Sequence, residues 1–279
     1  MLSSTRAFTE LLDARNFSYR DLGPTSSGRD GLSVGIGGKN MSGVTIRFFF
    51  DTDCHGAGLR VFDILKFTDE QRRDLTRQAL ACGREYAEKL AAQYGMRDPE
   101  KLAKVLGVKV DFPDMPQSTE RVLFAEFREP DKVHIYMDGV RKGRILLSEP
   151  GVPHALTGQL DIAKLLIGHE LFHWVEEKYK KEIWTRTYKI ELWAPRPLHN
   201  RSGVGVLGEI AAMAFTKTLN NLPYSPYVMD AFLVYGYSPE AASGLYEEMM
   251  EKAGRTPRLP EAPAPVALPD AEKEGGASR

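Results

Sequence analysis

Two cysteines in 279 residues are too few for a disulfide framework, and Cys54 and Cys82 have neither metal-site nor redox spacing. No stretch approaches the roughly eighteen apolar residues that would span a bilayer. The first residues, MLSSTRAFTELLDARNF, carry a charge every few positions and lack the apolar core of an export signal. Neither sign of charge dominates, with 37 basic against 38 acidic side chains. That balance gives no electrostatic footprint for nucleic acid or anionic lipid. No fixed-period repeat is present. The simplest expectation is a cytoplasmic protein with reduced thiols, and with neither a membrane nor a direct nucleic-acid partner.

What is present is a mixed α+β pattern. A short helix is expected over residues 7–14, followed by strands at Phe17–Tyr19, Leu32–Ile36 and Val44–Phe50. GIGGKN forms the turn between the last two. Another strand is expected at Gly58–Ile64. From Thr68 to Tyr94 the period becomes helical, with Leu75, Ala79, Cys82, Tyr86 and Leu90 on one stripe. Asp98 then caps a helix that starts at Pro99 and closes at Gly107. Strands are expected at Val108–Phe112, Val122–Phe127 and Val133–Met137, a turn at Asp138–Gly139, and one more strand at Ile145–Leu147. A long helix from about Gly158 to Lys181 follows. An irregular stretch, Ile183–Gly208, leads to a helix at Glu209–Leu219, and further helices occupy 226–253. The tail from Arg255, rich in Pro, Ala, Gly and charge, is expected to be disordered. The domain reading is a module at 1–94 ending in a bridging helix, a second domain at 95–254, and the tail at 255–279.

The segment LLIGHELFHWVEE contains His169, Glu170 and His173 in HExxH spacing. Residues four apart share a helix face, so both imidazoles can reach one zinc ion. Glu170 lies about 100° round from His169. There it can take a proton from a water without closing the coordination sphere. The helix is apolar on most sides. Two unpaired histidines and a carboxylate buried there would be costly, and metal binding gives them a reason to be present.

A catalytic zinc site needs a third protein ligand. Glu176, Glu177, Glu191, His199 and Glu209 are the candidates. Glu177 continues the His169/His173 face but points past the ion. Glu209 opens GEIAAMAF, whose Ala211, Ala212 and Ala214 allow close packing on a neighbouring helix, and it is the preferred choice. The expected chemistry is peptide-bond hydrolysis with Glu170 as general base. His199, Tyr224 and Tyr227 are open candidates for stabilising the oxyanion. His55 reads as an exposed turn residue. The strand Val133–Met137 is either a sheet edge that pairs with an extended substrate or an ordinary core strand.

LGVKVDF, VHIYMDG, LLIGHELFHWVEE and GEIAAMAF together resemble the ImmA/IrrE family of metallopeptidases over residues 95–222. The resemblance implies a zincin-like (gluzincin) domain with a small sheet and an HExxH helix, and a Glu from a second helix, here Glu209. It also implies zinc-dependent endopeptidase activity, often on a repressor protein. FTELLDARNFSYRDLG, VTIRFFFDTDCHG and LRVFDILKFTDEQR resemble YbjN-like proteins, whose fold is similar to type III secretion chaperones. That resemblance implies an N-terminal protein-binding module with a small antiparallel sheet and helices. A zinc-containing regulatory or chaperone-like binding protein without turnover is the alternative function.

Overall fold

A computed structural model describes residues 32–36, 46–50, 67–117, 122–148, 160–193 and 200–252. The expected elements at 7–14, Phe17–Tyr19 and Gly58–Ile64, the tail from Arg255, and Cys54, His55 and His199 lie outside the described residues. Within them the chain is mixed α+β, mostly helical, with one three-stranded sheet. Strands β1 (Leu32–Ile36) and β2 (Ile46–Phe50) pair antiparallel, Leu32 opposite Phe50, as the sequence pattern predicts.

Helix α1 (Asp69–Tyr94) starts at a capping box. The Gln71 N–H donates to Thr68 Oγ1, and the Gln71 side chain accepts from the Thr68 N–H. The helix ends at Gly95, whose φ of 65° suits a residue without Cβ. The predicted stripe is buried, and it packs on α6 (Val206–Leu219). Their contact is close at Gly83, where an added Cβ would stand 2.0 Å from the Ala211 carbonyl oxygen. The helix expected to bridge two domains therefore shares one core with the HExxH helix. Cys82 is buried beside the Thr185 and Trp184 backbone, and burial raises its thiol pKa to about 11.

Helix α2 (Pro99–Leu106) is capped by Asp98 and closed by Gly107 as expected. The sheet order is β3 (Lys109–Asp111), β5 (Lys132–Ile135), β4 (Ala125–Arg128), with β3 parallel and β4 antiparallel to β5. The strand suggested as a substrate-binding edge is thus the central one, and β4 is the edge beside the HExxH helix.

A second correction concerns Asp138–Gly139 and Ile145–Leu147. Both lie inside helix α3 (Met137–Leu147). The glycines there serve packing: a Cβ at Gly139 would be 2.7 Å from the Phe124 ring, and one at Gly143 2.5 Å from Ile162. Close approach, which leaves no trace in a turn-residue pattern, explains them.

Helix α4 (Ile162–Lys178) carries the HExxH pair. Asp161 caps it by accepting from the Ala163 and Lys164 N–H groups. The stretch expected to be irregular holds a short helix α5 (Trp184–Thr187) and an antiparallel pair, β6 (Lys189–Trp193) and β7 (Asn200–Gly203). Helices α7 (Val228–Tyr235) and α8 (Pro239–Lys252) complete the described chain. No helix among the described residues is long and apolar enough to cross a membrane.

Candidate metal centre

Helix α4 is apolar almost all round, so it sits in the core and takes its polar groups with it. His169 and His173 are both buried, and Glu170 is 2% exposed. Across from them α6 begins. Its first turn presents Glu209, also buried. His169, His173 and Glu209 form a cluster that could hold a metal ion.

The spacing of the donor atoms is informative. His169 Nε2 lies 3.3 Å from His173 Nε2 and 3.1 Å from Glu209 Oε2, and His173 Nε2 lies 3.6 Å from Glu209 Oε1. A tetrahedron's edge is about 1.6 times its bond, so zinc bonds of about 2.0–2.2 Å put donors about 3.3–3.6 Å apart. Cis donors of a larger octahedral ion would fall in a similar range, but two imidazoles disfavour the hard oxygen-seeking cations.

Protonation tells the same story. His173 Nδ1 stands 3.1 Å from Glu176 Oε2, so the Nδ1–H tautomer donates to that carboxylate. His173 Nε2 is then a lone pair, and it faces another imidazole and a carboxylate. A buried convergence of acceptors calls for a cation. Without a metal, a proton takes that part. Burial alone would lower the His173 pKa, but the carboxylates of Glu209 and Glu176 outweigh it and raise it to about 9.

Glu176 is a residue whose role the sequence reading missed. A candidate third ligand by sequence, it stands behind His173 instead, where it fixes the ring and increases its basicity. It is 4% exposed. Burial works to raise its own pKa, but the bond to His173 and the charges of His173 and Arg186 bring it below the usual carboxylate value. Arg186 Nε lies 3.7 Å from Glu176 Oε1. The carboxylate rests directly on Gly208, where a Cβ would be 2.7 Å from Oε2. The glycine before Glu209 is thus what lets α6 approach. An acid three residues after the second His of an HExxH pair, on the same helix face, was the available signal.

Glu170 does not join the three donors. Its Oε2 accepts from the Phe127 N–H of β4 at 2.7 Å. The register explains that donor. The Tyr136 N–H donates to the Phe124 carbonyl, and in the β4–β5 ladder the alternate residues Ala125 and Phe127 aim their backbone groups away from β5.

The other sequence candidates separate. Glu177 pairs with Lys180 in partial exposure. Glu191 lies in β6, and its side chain is outside the described residues. Tyr224 and Tyr227 are buried in the connection from α6 to α7. The Tyr224 hydroxyl has no hydrogen-bond partner among the described residues, and burial pushes its pKa up. No family model matches the chain, and no curated protein or solved structure is significantly similar to it.

Proposed function

We propose that this chain is a zinc-dependent endopeptidase of the gluzincin type, with His169, His173 and Glu209 as ligands and Glu170 as general base. The observation that carries the reading is the convergence of three buried donor residues 3.1–3.6 Å apart, close to the edges of a zinc tetrahedron, with a carboxylate beside them held by the Phe127 amide. A bound zinc ion would supply Lewis acidity, polarising a peptide carbonyl and making a water acidic near neutral pH. Glu170, whose Oε2 is held by the Phe127 amide, is the carboxylate that would take the proton and hand it to the leaving amine. Glu176 holds the His173 ring through Nδ1. Tyr224, protonated throughout the neutral range, and Tyr227 stay candidates for the oxyanion donor, with His199. The resemblance to ImmA/IrrE peptidases supports the same reading and makes a regulatory protein, such as a repressor, the proposed substrate.

The bond from Phe127 also gives Glu170 a structural occupation. That favours a second reading, a zinc-containing binding protein without turnover. One comparison separates them. The purified chain should hold about one zinc, cleave casein or itself, and lose cleavage with chelator. Glu170→Gln should keep the zinc and lose the cleavage. Equal cleavage by Glu170→Gln would remove the base, and zinc-loaded wild type without any cleavage would favour the binding protein.

A further inference from the structure

We propose that Arg186 is a positioning residue for the metal centre: it anchors one oxygen of Glu176 so that the other holds the His173 ring. The proposal rests on the metal-binding part of the reading above and asks nothing of the cleavage step. The two oxygens of Glu176 are divided between two partners. Oε2 stands 3.1 Å from His173 Nδ1, and Oε1 stands 3.7 Å from Arg186 Nε. Gly208 backs both oxygens, since a Cβ there would lie 2.7 Å from Oε2 and 2.9 Å from Oε1. That wall limits where the carboxylate can go, but it does not fix the rotation about its last bond. A cation on Oε1 does.

Arg186 is turned for that role. Its side chain is 40% exposed as a whole, yet Nε is buried and has no hydrogen-bond partner among the described residues. A buried N–H without a partner is costly. Closing 3.7 Å to the length of a charge-assisted bond takes a shift of less than about 1 Å. The neighbouring Thr185 hydroxyl is buried and unpartnered in the same way, and it too acts to lower the Glu176 pKa. Both donors therefore come to one carboxylate from one turn of chain.

The turn that carries them is itself held. Helix α5 packs on both α1 and α6, and Ile183, which precedes it, is fully buried. The helix has no side-chain cap, and its Trp184 and Thr185 amides turn to the buried Cys82 sulfur instead. Arg186 thus starts from a fixed backbone and reaches a carboxylate seated on a fixed glycine. A guanidinium keeps its charge across the neutral range. Arg186 therefore remains a cationic partner for Glu176 with a metal on the ring.

The sign of the effect separates an anchor from bulk charge. Removing a cation near a divalent ion should, by Coulomb's law, tighten metal binding. Losing the anchor should weaken it. In the full chain, zinc affinity measured by competition with a chelator should fall about 10-fold in Arg186→Gln. Arg186→Lys, which keeps a cation on the stem, should recover most of the loss. Lys180→Gln removes a nearby positive charge whose partner is Glu177, and it should lose no affinity. The visible spectrum of the cobalt-substituted chain should change in Arg186→Gln, because ring orientation sets the ligand field, and should match wild type in Arg186→Lys. In a Glu176→Ala background, Arg186→Gln should cost nothing further. Unchanged or tighter zinc binding by Arg186→Gln would overturn the proposal, and so would losses that add in the double variant. A wild-type chain that binds no zinc would overturn it together with the metal reading. The expected pattern in a chain that cleaves nothing would support Arg186 and count against the peptidase reading alone.

Discussion

Gly83→Ala adds one methyl group where α1 crosses α6. The new Cβ would lie 2.0 Å from the Ala211 carbonyl oxygen, 2.8 Å from its carbon and 3.0 Å from Ala214 Cβ. Backbone cannot rotate away as a side chain can. A normal contact needs more than about 3 Å, so the helices must part by about 1 Å locally. Overpacking of this kind costs about 1–3 kcal/mol. For a domain of this size that is a melting-temperature loss of roughly 2–12 °C. Ala211 is two residues from Glu209, so the same displacement reaches the centre. Metal–donor distances tolerate only about 0.2 Å. Zinc affinity should therefore fall together with stability. Thermal melts by circular dichroism and zinc titration against a competing chelator read the two effects. Gly95→Ala is the control: with φ at 65° and nothing within 4 Å, it should lose about 1–2 kcal/mol through left-handed strain and leave zinc affinity alone. A Gly83→Ala protein with wild-type melting and wild-type zinc affinity would refute the close packing of α1 on α6 and its coupling to Glu209.

Glu209→Ala should abolish stoichiometric zinc in metal analysis while Glu177→Ala keeps it; the reverse result would discard the ligand assignment. Glu176→Ala should weaken zinc binding by about 10- to 100-fold, with Glu176→Gln closer to wild type because its carbonyl still accepts from Nδ1, and chelator competition would show otherwise if Glu176 only packs. Asp138 accepts from the Tyr237 hydroxyl at 2.7 Å and from Lys142 at 3.2 Å, and these outweigh burial to hold its pKa below the ordinary aspartate value. A depressed folded pKa means stability that is complete above the unfolded value of about 3.9 and lost as pH falls through the folded one. The stability gap between wild type and Asp138→Asn should thus stay level above about pH 5 and shrink in more acidic melts; a gap that grew on acidification would contradict the sign. A fragment beginning at Gly95 should fail to fold, because it removes α1 from the core, whereas one beginning at Thr68 should bind zinc; a stable Gly95 fragment with full zinc would show α1 to be dispensable.

Much of the candidate centre was legible because its rules are local. Helical spacing puts His169 and His173 on one face whatever surrounds them. Asp98, Gly107 and the Thr68 box mark their helix ends through bonds within three or four residues. The alanines after Glu209 announced a helix that approaches closely, and Gly208 and Gly83 complete that approach. Where local rules misled, long-range contact had replaced them: Asp138–Gly139 reads as a turn and Ile145–Leu147 as a strand, yet both lie in one helix whose Gly139 and Gly143 leave room for Phe124 and Ile162. The edge beside α4 belongs to β4 because β3 took the other side of β5, a choice made by sheet pairing that no single strand's pattern encodes. The Phe127 amide on Glu170 likewise required chain segments distant in sequence to meet, whereas Glu176 reaches His173 through helical spacing alone. Residue type and spacing determined which groups could bind a metal and put Glu176 behind the His173 ring; tertiary packing decided that Glu209 faces the two imidazoles and that Glu170 is kept apart, because those assignments depend on distances between elements.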